Sequence, residues 1–397
     1  MLDYNPFAPD VQHNPYPVWK RLRDEAPVYH NPDFGFYALS RYDDVLAAFL
    51  DPTTFISGNG VTVGGPEKSD GRLIGSDAPE HTRVRKVLSR VFTPKRVADL
   101  EPFIRGVAAR YLDAALDRDR FDLVQEFSLR MPLEVIGELL GIPAELRDTI
   151  HDLANTAVTR DPDPTVSLEK ARAAMAEVRG IYTELVVERR KHPSDDPISM
   201  LIEAEVTDDD GTTYRMSDEQ ITANFVLLGA AGHETVMKLI GNGAVALAWY
   251  PDQRAELVRD PRLIPNAVEE MLRWDNPAPL EGRWCTRDVE LHGVTIPADT
   301  RVMLLMGAAN HDDRVYDNPE LFNIHRKIER PLVFGFGIHL CIGAALARLE
   351  TRIAFEELLA RFPDYELIED GISRGPATFF RGLTHLPIVP RPTSKAR

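Results

Sequence analysis

The chain has 397 residues and a formal net charge of −16 at pH 7, which argues against general nucleic-acid binding. Hydrophobic residues make up 44% and charged residues 27%, an ordinary balance for a globular protein with a large core. No apolar run approaches the roughly 18 residues that a membrane span needs. The start is polar, broken by prolines and without the apolar stretch of a signal peptide. We therefore expect a cytoplasmic protein that binds neither nucleic acid nor membrane.

Most of the sequence predicts helices with short connections, several of which stop at a proline. No repeat and no long linker divides the chain, so residues 1–397 are expected to form one domain. Strand patterns are few and short. The balance predicts a mainly α fold with small β-sheets. In chain order, helices are predicted at residues 20–27, 42–52, 148–158, 167–193 and 217–251, and strands at residues 35–40, 288–305 and 384–390.

Two early segments have an unusual composition. Six glycines between Gly58 and Gly75 predict a mobile loop, because glycine frees the backbone. Residues 81–98 hold six Lys or Arg and no Asp or Glu, against the net charge of the chain. A solvated helix face is one interpretation of this basic segment.

The longest predicted helix covers residues 217–251. Ser217 and Gln220 match a capping box, and Pro251 is expected to end the run. The segment is apolar nearly all round, which predicts a buried helix.

The centre of that helix contains residues that an ordinary buried helix would avoid. Gly229 and Gly232 each weaken a helix interior by roughly 1 kcal/mol relative to alanine. Glu234 and Thr235 are polar in otherwise apolar surroundings, and a buried carboxylate is costly unless it is paired or functional. Small residues here would let a large group approach the backbone.

Cys341 is one of two cysteines, the other being Cys285, and it lies between a glycine-rich segment and a predicted helix. A thiolate at a helix N-terminus is stabilised by the helix dipole and by free N–H groups. Such a sulfur could be a nucleophile with His339 as its base, or a metal ligand, for which heme needs only one cysteine. A buried structural cysteine is the third interpretation, and the local spacing leaves all three open.

The wider pattern resembles the cytochrome P-450 family. The segment FGFGIHLCIG, residues 334–343, matches the heme-binding signature F-x-x-G-x-H/R-x-C-x-G of that family. Further segments resemble family motifs in the family's order along most of the chain. They are DAPEHTRVR, AGHET, the E-x-x-R pair in EEMLR, RWCTRDVELHGVTIPADT, NPELFNIHR and RGLTHLPI.

The resemblance implies a cytochrome P-450 fold, with heme b held between the long central helix and the helix that follows the cysteine. It also implies a monooxygenase that inserts one oxygen atom from O2 into a hydrophobic substrate. The site residues that it implies fall into three groups. Cys341 binds the iron, with Phe334, Gly335, His339, Gly343, His81, Arg85 and Arg283 around the heme; Glu234 and Thr235 deliver protons; and Glu270, Arg273 and Arg326 support the cysteine loop.

Within the proton-delivery segment the chain departs from the family pattern, because Val236 replaces a frequent second hydroxyl residue. We still expect Thr235 to suffice. The resemblance also implies a substrate pocket whose walls are mostly apolar, and a screen of ligand-induced heme spectra would identify its ligand. The expected pocket residues are Val226, Ala230, Ala231, Leu280 and Phe379, within walls formed by residues 61–74, 226–230 and 278–280 and by Phe379 with Phe380.

Electrons would come from a separate ferredoxin or flavodoxin and its reductase, because the chain contains no flavin or nicotinamide domain. The basic run from Arg83 to Arg96 would flank the cysteine-side face of the heme, where that acidic partner would dock. Two other hypotheses remain, a peroxide-driven peroxygenase on the same fold and a heme-binding sensor without turnover. The Glu234 and Thr235 pair argues against both.

Overall fold

A computed structural model describes residues 2–62, 71–158, 164–375 and 380–391. Within these ranges, no helix combines the length and apolar character needed to cross a membrane. Part of the predicted glycine-rich loop, residues 63–70, lies outside the described ranges, as does Phe379.

Helices dominate the described chain, in agreement with the sequence pattern. The predicted helices at residues 42–52, 148–158 and 167–193 are confirmed as the third, eighth and ninth α-helices. Short 3-10 turns at Leu332–Phe334 and Gly337–His339 lead into the last helix. The α-helices are α1 (Pro9–His13), α2 (Tyr16–Glu25), α3 (Tyr42–Leu50), α4 (Glu80–Leu88), α5 (Pro94–Asp99), α6 (Glu101–Asp113), α7 (Arg130–Leu140), α8 (Ala144–Val158), α9 (Pro164–Lys191), α10 (Pro197–Glu203), α11 (Asp218–Trp249), α12 (Pro251–Arg259), α13 (Ile264–Trp274), α14 (Met306–Ala309) and α15 (Ala344–Arg361).

The sheets are small and lie to the side of the helices. The largest has the strand order β1-β2-β10-β7-β3, in which β10 pairs in parallel with β2 and antiparallel with β7. A second sheet has the order β11-β12-β4, and two hairpins complete the set. The strands are β1 (Val28–Asn31), β2 (Phe36–Leu39), β3 (Phe55–Ile56), β4 (Phe121–Asp122), β5 (Val206–Thr207), β6 (Thr213–Tyr214), β7 (Glu281–Cys285), β8 (Val289–Leu291), β9 (Val294–Ile296), β10 (Thr300–Leu304), β11 (Asp364–Leu367) and β12 (Pro387–Arg391).

The central helix α11 begins with the predicted capping box. The Gln220 backbone N–H donates to Ser217 Oγ at 3.2 Å, and the Ser217 N–H donates to Gln220 Oε1 at 3.1 Å. The expectation for Pro251 is only half right: α11 does end at Trp249, but Pro251 is the first residue of α12. Proline fits there because the first turn of a helix leaves its N–H groups without intrahelical partners.

The main hydrophobic core surrounds α11, which packs against α7, α9, α13 and α15. Gly232 allows α7 to approach closely, because a Cβ there would lie 2.6 Å from Ile136 Cδ1. A smaller hydrophobic cluster joins α3 to the largest sheet, and a third joins α2 to the same sheet. These contacts leave a cavity between α11 and the start of α15.

Candidate functional site

A cavity of about 270 Å³ lies between α11 and the segment that leads into α15. Its lining is mostly apolar and includes Leu239 and Leu346 of the two helices. Thr235 of α11 and Cys341 also line it, so the structure brings together two residues more than a hundred positions apart. Ligand sites commonly have this character, an apolar cavity with a few convergent polar groups.

Cys341 lies between the 3-10 turn Gly337–His339 and α15, and its backbone N–H donates to the Phe334 carbonyl at 2.9 Å. The loop closes tightly over α3. Gly337 has φ +69°, and a Cβ there would lie 2.6 Å from the Phe49 carbonyl oxygen. Only glycine fits this position without strain. The Cys341 side chain is a free thiol that faces the cavity. Desolvation by the surrounding protein raises the pKa of this thiol.

Basic side chains gather around the cysteine end of the cavity. Arg85, Arg283 and His339 line it, and the His81 ring lies 4.1 Å from the His339 ring, centroid to centroid. Arg85 Nη2 donates to the Leu340 carbonyl at 2.6 Å. The sequence-predicted group around the heme is therefore assembled in one place.

The two histidines are neutral near pH 7. Burial, reinforced by Arg85, lowers the pKa of His81 to about 4. Burial and Arg283 lower the pKa of His339 to about 2. His339 Nε2 lies 3.2 Å from Ser57 Oγ, whereas neither ring nitrogen of the buried His81 has a hydrogen-bond partner among the described residues. A buried orphan donor beside two guanidinium groups is suited to a carboxylate-bearing ligand.

Glu281 also lines the cavity and was missed by the sequence interpretation. Arg283 Nη1 donates to Glu281 Oε1 at 3.1 Å and to the Gly282 carbonyl at 2.6 Å. Burial raises the pKa of Glu281, and Arg283 opposes that shift. The sequence does contain a pattern that could have indicated Glu281. It lies two residues before Arg283 on a strand, and side chains at i and i+2 of a strand point to the same face.

The structure brings Glu270, Arg273 and Arg326 together, as the sequence predicted. Arg273 Nε and Nη2 donate to the two Glu270 oxygens at 2.7 and 2.8 Å. Arg326 Nε donates to Glu270 Oε1 at 3.2 Å. Arg273 Nη1 also binds the carbonyls of Asn310 and Pro319, both at 2.9 Å. Glu270 and Arg273 are wholly buried, so the buried charge of each must be compensated by the opposite charge of its partner.

Thr235 and Glu234 have different surroundings. Thr235 faces the cavity and its Oγ1 donates to the Ala231 carbonyl at 3.1 Å. Glu234 does not line the cavity, and its Oε1 lies 3.4 Å from Lys238 Nζ. Lys238 is buried and packs on the backbone of Gly382, where a Cβ would lie 2.4 Å from Lys238 Cβ.

Of the predicted pocket residues, Ala231, Ala278 and Phe380 line the large cavity, and so do Leu73, Ile74, Leu227 and Leu228 from the predicted wall segments. Val226 and Ala230 line a smaller cavity between α7, α8, α9 and α11, beside Tyr182. Leu280 packs into the third hydrophobic cluster. It precedes Glu281 at the start of β7, and successive side chains of an extended chain point to opposite faces. The structure thus places Val226, Ala230 and Leu280 outside the lining that contains Thr235 and Cys341.

The helix-rich fold and the cysteine-centred cavity are those of a known class of oxidoreductase. Residues 35–369 match the family model described as Cytochrome P450. The chain therefore belongs to the cytochrome P450 family, whose members are heme-containing monooxygenases.

Relatives and solved structures agree with this assignment. The chain is 38% identical over 401 residues to a vitamin D(3) 25-hydroxylase of Pseudonocardia autotrophica, covering 98% of this chain and 96% of the relative. It is 33% identical over 409 residues to the polyketide biosynthesis cytochrome P450 PksS of Bacillus subtilis, covering 98% of each. Cytochrome P450 CYP109Q5 from Chondromyces apiculatus has a TM-score of 0.89 at 34% identity, covering 99% of both chains.

The residues present fit the heme that the family implies. The orphan nitrogens of His81 and the guanidinium groups of Arg85 and Arg283 suit buried carboxylates. The Cys341 thiol faces the same apolar cavity, and it is a suitable iron ligand. Phe334, Gly335 and Gly343 line the cavity on the cysteine side, and the Phe334 ring is covered by Arg348 at 4.6 Å.

Proposed function

We propose that this protein is a heme-thiolate monooxygenase that inserts one oxygen atom from O2 into a C–H or C=C bond of a hydrophobic organic substrate. The observation that carries the proposal is that the Cys341 thiol and the Thr235 hydroxyl line one apolar cavity from two different elements. Cys341 is the iron ligand in this proposal, and the heme is heme b. The sequence contains no C-x-x-C-H segment of the kind that attaches heme covalently.

The chain's first task is to hold the heme. When bound, the heme supplies the iron that activates O2, with the thiolate favouring O–O cleavage. Arg85 and Arg283 would pair with the propionates, and His81 and His339 would donate N–H groups to them. Arg283 would also remain within reach of Glu281, which its Nη1 contacts at 3.1 Å. The Arg85 bond to the Leu340 carbonyl supports this role, because it ties α4 to the residue before the cysteine.

The second task is to manage protons. The Thr235 hydroxyl, now bonded to the Ala231 carbonyl, can turn to bind oxygen or water in the cavity. Glu234 exchanges protons with solvent in this proposal. To deliver a proton on the cavity side of α11, its carboxylate must first separate from the Lys238 ammonium. Val236 is buried and offers no second hydroxyl.

The third task is to keep the cysteine loop in place. Glu270, Arg273 and Arg326 join α13 to the chain before the loop in this proposal. Arg273 supports this role through the Asn310 carbonyl, since the Asn310 side chain in turn accepts from the Leu332 N–H at 3.0 Å. A buried ion pair with this many bonds fixes backbone geometry.

The substrate is hydrophobic in this proposal, and Ala231 is one wall of its pocket. The apolar lining of the cavity supports this, with Leu73, Ile74 and Phe380 near α11. The relatives point the same way, because one is named a vitamin D(3) hydroxylase and another a polyketide biosynthesis enzyme. A sterol-like or polyketide skeleton is accordingly the class to screen first.

Electrons come from a ferredoxin or flavodoxin and its reductase in this proposal. Lys86, Arg90 and Lys95 are exposed on the basic segment, which supports docking of an acidic partner. We further propose that residues 1–397 act as one cytochrome P450 domain in the cytoplasm. The free thiols of Cys285 and Cys341 support a reducing compartment.

The ligand assignment is tested by the carbon monoxide difference spectrum of the reduced protein. Cys341→Ser should abolish the thiolate-type band, and Cys285→Ser should retain it, because Cys285 lies in the sheet cluster away from the cavity. A Cys341→Ser protein that keeps the band would overturn the assignment.

The reaction is tested by comparing two conditions on the same sterol-like and polyketide panel. Product with O2, ferredoxin and reductase supports the monooxygenase. Product with peroxide alone would instead indicate a peroxygenase. A ligand-induced spectral shift with no product in either condition would indicate a sensor.

A further inference from the structure

Glu350 is a buried carboxyl group that no step above uses. It lies in the middle of α15 and has no exposed surface. Neither of its oxygens has a hydrogen-bond partner in the described structure. A buried polar group without partners requires an explanation, because no hydrogen bond offsets the loss of its contacts with water.

The charged groups of the elements around Glu350 are already engaged. On α13, Glu270 binds Arg273 and Glu269 binds Arg348, whose Nε donates to Glu269 Oε1 at 2.5 Å. On its own helix, Thr351 Oγ1 donates to the Ala347 carbonyl at 2.7 Å. No described cation therefore compensates a charge on Glu350, and burial raises its pKa well above the usual value.

Glu350 also lines the large cavity, together with Cys341 and Thr235. Glu281 is the other carboxyl in that lining, and Arg283 binds it. Glu234, the acid beside Thr235, lies outside the lining and contacts Lys238. Among the described cavity residues, Glu350 is thus the carboxyl without a cation partner.

We propose that Glu350 is a neutral carboxylic acid that binds water at the α15 side of the cavity and relays protons into it. A protonated carboxyl has one O–H donor and free acceptor capacity, so it can hold a water at both ends. A polar wall with space beside it is where buried water is expected. This proposal rests on the proposed monooxygenase function for the use of the protons.

The proton balance is closed. Insertion of one oxygen atom of O2 releases the other as water, which takes two electrons from the redox partner and two protons. Glu350 gives its O–H proton to the bound water and takes a proton back from solvent through the same water chain. The acid is therefore a relay and is not consumed.

The protonation state is tested on the heme-loaded protein by infrared spectroscopy at neutral pH. The wild type should show the C=O band of a protonated carboxyl that shifts in D2O, and Glu350→Gln should lose that band. Glu357→Gln is the matched control on the same helix, because Glu357 is paired with Arg361 and its replacement should leave the band unchanged. Absence of a Glu350-dependent band, or a band that does not respond to D2O, would overturn the proposal.

The relay is tested by product formed per electron pair consumed, with peroxide release measured in parallel. Glu350→Gln and Glu350→Leu should each lower this ratio several-fold, while Glu350→Asp keeps the acid and should restore part of it. The carbon monoxide spectrum and the melting temperature show whether each variant is folded. A folded Glu350→Gln protein coupled like the wild type would reduce Glu350 to a packing residue and refute the relay. If no condition gives product, the monooxygenase proposal fails, whereas the infrared band still decides the state of Glu350.

Discussion

The Lys238 ammonium lies 3.4 Å from the Glu234 carboxylate, one helical turn further along α11. Lys238 is buried with its stem against Gly382, and the side chain of Glu234 is only partly exposed. The pair keeps the acid beside Thr235 on a different face of the helix from the cavity. An i, i+4 arrangement with the acid first is also the favourable order for a helix.

Replacing Lys238 with Met should release Glu234. We expect the free energy of unfolding to fall by about 1–3 kcal/mol, because a partly buried carboxylate loses its partner. Glu234→Gln in the same background should recover part of the loss. Urea titration of the two single variants and the double variant measures the coupling, and strictly additive effects would show that the pair does not interact.

The buried Glu270–Arg273 pair and the half-exposed Glu269–Arg348 pair are adjacent in sequence and make a matched comparison. Glu270→Gln should destabilise the protein by about 3–5 kcal/mol, since it leaves Arg273 charged and buried. Glu269→Gln should cost about 1 kcal/mol or less. Equal losses in chemical denaturation would contradict the assignment of burial as the cause.

Stability should rise with pH between about 3 and 6.5 because of His311. Burial and the charge of Arg273 lower the His311 pKa to about 3, whereas an unfolded histidine titrates near 6.5. In this window the unfolded chain binds more protons, so the free energy of unfolding increases with pH. His311→Phe, which keeps a ring against Tyr16, should flatten the slope, and His325→Gln on the surface should not.

Gly337→Ala should damage the cysteine loop. The substitution combines a φ of +69° with a Cβ 2.6 Å from the Phe49 carbonyl oxygen. A loss of about 1–3 kcal/mol is expected from the strain, together with weaker heme retention. Gly106→Ala in α6, which meets nothing within 4 Å, should be neutral or stabilising. Thermal melts and heme absorbance ratios distinguish the two variants.

Neutralising the basic segment should slow reduction by the redox partner. A protein with Lys86, Arg90, Lys95 and Arg96 all changed to Gln should be reduced more slowly at low salt and resemble the wild type at high salt. Lys95 contributes least if its contact with Asp99, at 2.6 Å, persists in solution. Stopped-flow reduction with a ferredoxin provides the rate, and an unchanged rate at low salt argues for another docking face.

Much of the site could be predicted from local pattern and resemblance. The Ser217 capping box is a contact between neighbours, and Glu270 and Arg273 share a helix face at i, i+3. The orientation of Glu234 could not be predicted, because α11 is buried nearly all round and its pattern does not mark the face that meets the cavity. Thr235 follows only one residue later, yet a step of about 100° separates their directions.

The positions of Leu280 and Glu350 depend on packing between distant elements. Leu280 packs in a hydrophobic cluster with α2. An apolar side chain is as typical of a core as of a substrate pocket, so the sequence could not distinguish the two locations. Glu350 in a helix sequence looks like an ordinary surface acid, since the sequence does not report the density of protein around it. Its burial follows from the contact of α15 with α11 and α13.

The parallel pairing of β2 with β10 has a consequence for how the protein is made. Phe36, near the start of the chain, is in register with Arg301, which lies in its last quarter. While the ribosome is still producing the helices between them, β2 has only β1 beside it and an open edge on the other side. Contacts so distant in sequence form slowly and leave strands exposed. Arg283 on β7 pairs with Val302 of the same late strand, so the strand that holds Arg283 gains this partner only after β10 has been synthesised.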